Sequence, residues 1–162
     1  MAENVGQTNK PVADLPSWPE QKIRGHKLEG HRYTSKDFAE QEWSHVWTKV
    51  WLLLGAENEM PNPGDWQQEE VGRESILMVR QDDGAIKAYY NVCQHRGQRL
   101  VSEEKGHARR FICPYHSWAW NTDGTLDFVQ DPNDFPEGNP CGKLLLEEVR
   151  CETFAGFIWI NM

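Results

Sequence analysis

Four side chains in two short runs carry the chemistry of this sequence. Cys93 and His95 lie in Cys93-Gln94-His95-Arg96-Gly97, and Cys113 and His116 in Cys113-Pro114-Tyr115-His116. Each run offers one thiolate and one imidazole. That inventory suits a two-iron, two-sulfide cluster in which two Cys hold one iron and two His the other. It also suits tetrahedral zinc, which takes the same ligand types. Spacing favours the first: paired zinc ligands usually stand about two to four residues apart, whereas only Gln94 separates Cys93 from His95. Such a short bite is awkward around one ion and reasonable for two metals a short distance apart.

Converging four ligands from two runs requires loops on a rigid frame. From residue 50 onward the sequence reads as short strands punctuated by turns: Pro61-Asn62-Pro63-Gly64, Asp82-Asp83-Gly84 and Asn121-Thr122-Asp123-Gly124. Ser75–Arg80 and Ile86–Tyr90 flank the second turn as a hairpin, and Phe157–Asn161 is a final strand. Arg110–Ile112 and Ala119–Trp120 bracket the second ligand run. These features predict a mainly β, antiparallel domain over residues 52–162 with both ligand runs on loops. Ahead of it, Thr34 as a cap and apolar Phe38, Trp43, Val46, Trp47 and Val50 near the helical period predict a lead-in helix over 34–51. Trp43 and Trp47, four apart, are expected on its core face. Residues 1–33 are polar and without periodicity, an N-terminal arm.

The whole is 162 residues, about one domain, with a net charge of −8. That balance disfavours nucleic acid, which selects a basic surface. The longest strongly apolar run, Val50–Leu54, is far short of the ~20 residues of a membrane span, and residues 1–19 lack the apolar core of a secretory signal. A cytoplasmic protein with no membrane partner is expected. Cys141 and Cys151 then read as packed free thiols.

The two runs resemble the Rieske motif of ring-hydroxylating oxygenase α subunits, which reads Cys-x-His-Arg-Gly and then Cys-Pro-Tyr-His. The resemblance extends over 33–51, Pro61-Asn62-Pro63-Gly64-Asp65, Asn91-Val92-Cys93 and Asn121-Thr122-Asp123-Gly124. Ser117 departs from it, since the family more often has Gly there. The resemblance implies a Rieske [2Fe–2S] antiparallel β-sandwich with an N-terminal helix. Cys93 and Cys113 would hold one iron of the cluster, and His95 and His116 the other. Respiratory Rieske proteins tie their cluster loops with a disulfide, but Gln98 and Tyr115 occupy those positions here. Trp118 stands where those proteins commonly place a Ser hydroxyl. Losing that hydrogen bond should leave the potential nearer about −150 than about +300 mV.

In the family the α subunit continues into a catalytic domain with a mononuclear Fe(II) held by two His and a carboxylate. The resemblance therefore implies an N-terminal part of a larger oxygenase component, lacking that catalytic domain. His26 and His31 have the spacing of the family's catalytic pair. Ile23 replaces the accompanying Asp, so they are read as part of a polar lead-in. His45 and His107 are read as surface residues. The implied role is one-electron relay from a reductase or ferredoxin to a mononuclear non-haem iron that activates O2, carried by a neighbouring α subunit of a homotrimer. Arg96 would contact that neighbour's catalytic domain, or else brace its own loop. The competing reading is a free-standing Rieske ferredoxin serving a separate oxygenase, against which the long lead-in weighs.

Overall fold

The computed structural model describes residues 29–162. Its lead-in is shorter and more broken than the single helix expected over 34–51. One turn, α1 (His31–Thr34), is followed by α2 (Lys36–Glu42) and a π-helical turn over Trp43–Trp47. The cap is Ser35 rather than Thr34: Ser35 is extended, and its side chain accepts a hydrogen bond from the Phe38 N–H at 3.2 Å. Trp43 packs directly on Gly72, where an added Cβ would overlap its ring. The Arg73 guanidinium covers the same ring at 5.0 Å and pairs with Glu40 at 2.8 Å. Trp47 does not join it, for 46% of its surface is exposed. Among the described residues no helix is long and apolar enough to cross a membrane.

The remaining chain is antiparallel β-structure in two sheets. The larger holds β1 (Leu52–Ala56), β2 (Asp65–Val71), β3 (Glu74–Arg80), β4 (Ile86–Tyr90), β5 (Lys105–His107), β9 (Glu148–Phe154) and β10 (Phe157–Asn161). Its order is β1-β10-β9-β4-β3-β2-β5. The smaller, β6-β7-β8, comprises Arg110–Ile112, Ala119–Asn121 and Leu126–Phe128. The hairpin expected around Asp82-Asp83-Gly84 is β3–β4, with Arg80 opposite Ile86.

Strand β3 explains the layering. Ile76, Leu77, Met78 and Val79 are all fully buried, so both faces of this strand meet core. Leu77 and Val79 pack with Phe111, Trp120 and Leu126 of the small sheet. Ile76 and Met78 instead share a second core with Val149, Ile158 and Ile160. The first core lies beneath the ligand runs.

Gly124 couples the small sheet to the large one. Its φ is +89°, its N–H donates to the Asn121 carbonyl, and its own carbonyl accepts from the Leu146 N–H. A Cβ there would lie 2.7 Å from the buried Tyr89 ring. Gly124→Ala should therefore cost about 1–3 kcal/mol from combined backbone strain and overpacking. Urea denaturation should show this as a lower midpoint with an unchanged slope.

Candidate metal centre

The two ligand runs fold into the same backbone frame. Cys93 donates its N–H to the Gln98 carbonyl, and its own carbonyl accepts from the Gly97 N–H. Cys113 repeats this with the Trp118 carbonyl and the Ser117 N–H. In each loop the residue four after the Cys takes a positive φ: 71° at Gly97 and 57° at Ser117. The first loop follows β4 and is braced by Asn91, 3% exposed. The Asn91 side-chain Oδ1 accepts from the Leu100 and Val101 N–H groups at 3.1 Å, and its Nδ2 donates to the Val101 carbonyl at 2.8 Å. The second loop is the connection between β6 and β7.

This frame pairs the ligands by type. Cys93 and Cys113 are free, buried and adjacent, and Cys113 helps to push the Cys93 thiol up. The His95 and His116 rings lie 4.7 Å apart between centroids, inclined at 64°. Both Nδ1 atoms are buried without a hydrogen-bond partner, which leaves Nε2 of each ring on the solvent side. An orphaned ring nitrogen is costly unless something binds there. Among the described residues no three His, Cys, Asp or Glu side chains converge closely enough to hold a single ion. A thiol pair beside an imidazole pair fits a binuclear cluster with unlike irons.

Ring packing joins the two loops. His95 of the first stacks on Trp118 of the second at 4.6 Å and 3°, and Tyr115 lies over His116 at 3.7 Å. Gln98 and Tyr115 are both exposed. Burial pushes the Cys93 thiol up, opposed by the His95 backbone N–H and the Trp120 indole and reinforced by Cys113. Burial, then the neighbouring His116 and Arg96, hold the His95 imidazole below its ordinary value. Neutral imidazole is the ligating form.

The other candidates are dispersed. Arg96 is exposed and takes part in none of the ion pairs among the described residues. His31 lies on α1, exposed, 3.1 Å from Glu29, and His26 falls outside the described residues. His45 is exposed. His107, also exposed, bonds Asp65 at 2.9 Å and holds that carboxyl below its usual range. Cys141 packs at the edge of the first core. Cys151 sits against the second, where burial pushes its thiol up to about 12. Sequence reasoning missed Asn91 as a loop brace. Its place two residues before the candidate ligand Cys93 was the available signal.

Residues 50–141 match the Rieske [2Fe–2S] domain family. The chain belongs to that family. It is 34% identical over 155 residues to the α subunit of biphenyl 2,3-dioxygenase from Rhodococcus jostii (strain RHA1), covering 90% of this chain and 33% of that protein. It is 39% identical over 131 residues to the oxygenase subunit of carnitine monooxygenase from Escherichia coli (strain K12), covering 80% and 34%. Among solved structures, the apo form of the quaternary ammonium Rieske monooxygenase CntA superposes with a TM-score of 0.78 at 31% identity, covering 84% of this chain and 39% of that one. Naphthalene 1,2-dioxygenase gives 0.72 at 36% identity, covering 77% and 28%. The chain thus spans about a third of the length of the curated relatives it matches.

This Rieske domain is mainly antiparallel β-structure, as expected, and it is homologous to oxygenase α subunits. Its departure at Ser117 has a definite cost, because a non-glycine residue there holds φ at 57°. Ser117→Gly should stabilise the protein by about 1 kcal/mol. Thermal unfolding should show a higher midpoint, and the cluster's absorption spectrum should be unchanged.

Proposed function

We propose that this Rieske domain relays single electrons from a reductase or ferredoxin to a mononuclear non-haem iron that activates O2. That iron would be carried by the part of the oxygenase α subunit that this chain does not span. One observation supports the reading above the others. Two buried thiols lie beside two imidazoles whose buried Nδ1 atoms have no partner. Cys93 and Cys113 would hold one iron as thiolates, and His95 and His116 would hold the other through Nδ1. The [2Fe–2S] cluster supplies a centre that gains and loses one electron.

The chain's own residues do the rest. The repeated turn of each loop fixes the ligands. Trp118 and Tyr115 keep the imidazoles from rotating, and the outward Nε2 atoms mark the face where a partner docks. Arg96, exposed beside His95, is the residue proposed to contact a neighbouring catalytic domain within a homotrimer. The relatives named as oxygenase subunits support this context.

With NADH and a reductase, the iron-loaded chain should take up one electron per molecule and return it slowly to O2. It should form no hydroxylated product without a further oxygenase component. Failure to accept an electron would contradict the proposal, and so would product that depended on this chain alone.

A further inference from the structure

The two ligand loops are closed at their bases in different ways. The second is a hairpin connection, and the β6–β7 ladder shuts it with Ile112 opposite Ala119. The first has no such ladder. It leaves β4, whose two edges are already taken by β3 and β9, and the next strand, β5, pairs with β2 instead. Backbone groups on the far side of this loop therefore need other partners. The buried Asn91 side chain supplies them. Its Oδ1 takes the Leu100 and Val101 N–H groups, and its Nδ2 reaches the Val101 carbonyl at 2.8 Å and the Ser75 Oγ at 3.1 Å. Both acceptor sites and both donors are used, so the amide has one orientation. The bonds then close into a ring. The buried Gln68 amide donates to the Ser75 Oγ at 3.0 Å and to Glu70 at 2.8 Å, and Glu70 accepts from Arg99, the residue before Leu100.

We propose that Asn91 is a positioning residue for the cluster. Its amide stands in for the missing ladder bonds at the base of the first loop, and so fixes where Cys93 and His95 lie relative to Cys113 and His116. Outer partners of this kind orient ligands without touching the metal. Gln68, Ser75 and the Glu70–Arg99 pair hold the amide in turn, so the ring ties the first loop to β2 and β3 independently of the second. Each loop is thereby set by its own frame, one by strand pairing and the other by a side chain. The inference rests on those four residues being the cluster ligands.

The test compares iron-loaded Asn91→Asp, Asn91→Ala and Ser75→Ala with the unsubstituted protein, and with Asn121→Ala as a control. Asn91→Asp keeps the shape and the acceptor but loses both donors and sets an oxygen against the Val101 carbonyl. Asn121→Ala removes a side-chain bond to Thr125 at the far end of β7 from the ligand loop. Transfer of iron to a chelator is followed at a temperature where circular dichroism shows each variant folded. It should run about tenfold faster in both Asn91 variants. Ser75→Ala should be accelerated by less, and Asn121→Ala should match the unsubstituted protein. The reduced Asn91→Asp cluster should also give a broadened EPR spectrum, because its ligands no longer hold a single geometry. Unchanged release with an unchanged spectrum in Asn91→Asp would overturn the positioning role, and so would equal acceleration in Asn121→Ala. If Asn91→Ala does not fold, Asn91→Asp and Ser75→Ala decide by the same readings. If the unsubstituted protein bound no Rieske cluster, the ligand assignment beneath the inference would fail instead.

Discussion

Two thiols buried side by side impose the constraint that the rest of this structure serves. Cys93 and Cys113 are almost fully inaccessible, and burial together with their mutual proximity makes the Cys93 thiolate costly. The Cys93 thiol can lose its proton readily only if positive charge lies beside it, and among the described residues no arginine or lysine is buried in the core. The facing imidazoles cannot supply it, since burial keeps His95 disposed to be neutral and each Nδ1 is left without a partner. A metal cluster bound there, as proposed, would resolve both difficulties at once: it would compensate the thiolates and satisfy the ring nitrogens.

Holding that arrangement open demands rigidity from loops, which are ordinarily the pliable parts of a fold. The domain achieves it by using one turn twice. Cys93 and Cys113 each close a turn of the same hydrogen-bond pattern, and each turn needs a left-handed residue at its fifth position. Ring stacking of His95 on Trp118 then ties one loop to the other without a covalent bridge. Below them β3, buried on both faces, anchors the first core against the second. Strain at the loops is thus borne by strands that have no freedom to yield.

The parts of this design legible in the sequence are those whose signals are local. The four candidate ligands stood out by residue type and spacing. The β3–β4 hairpin was visible because an apolar run and Ile86–Tyr90 flank an Asp-Asp-Gly turn. Strand β2 was not, because Asp65–Val71 is largely polar. It pairs along β3, and the buried Gln68 amide is satisfied by Glu70 and Ser75, contacts that no linear pattern announces. The lead-in helix was legible in existence but not in extent. Its apolar period was real, but Ser35 competed as a cap and the π turn rotated Trp47 out to solvent.

The most direct test of the account is pulsed electron–nuclear double resonance on the reduced protein, grown with histidine labelled by 15N at Nδ1. The account predicts two 15N couplings of the size expected for nitrogen bound to the cluster, one from His95 and one from His116, the first absent from His95→Cys and the second from His116→Cys. Fewer than two labelled nitrogens coupled to the cluster in the unsubstituted protein, or coupling through Nε2 instead, would contradict it.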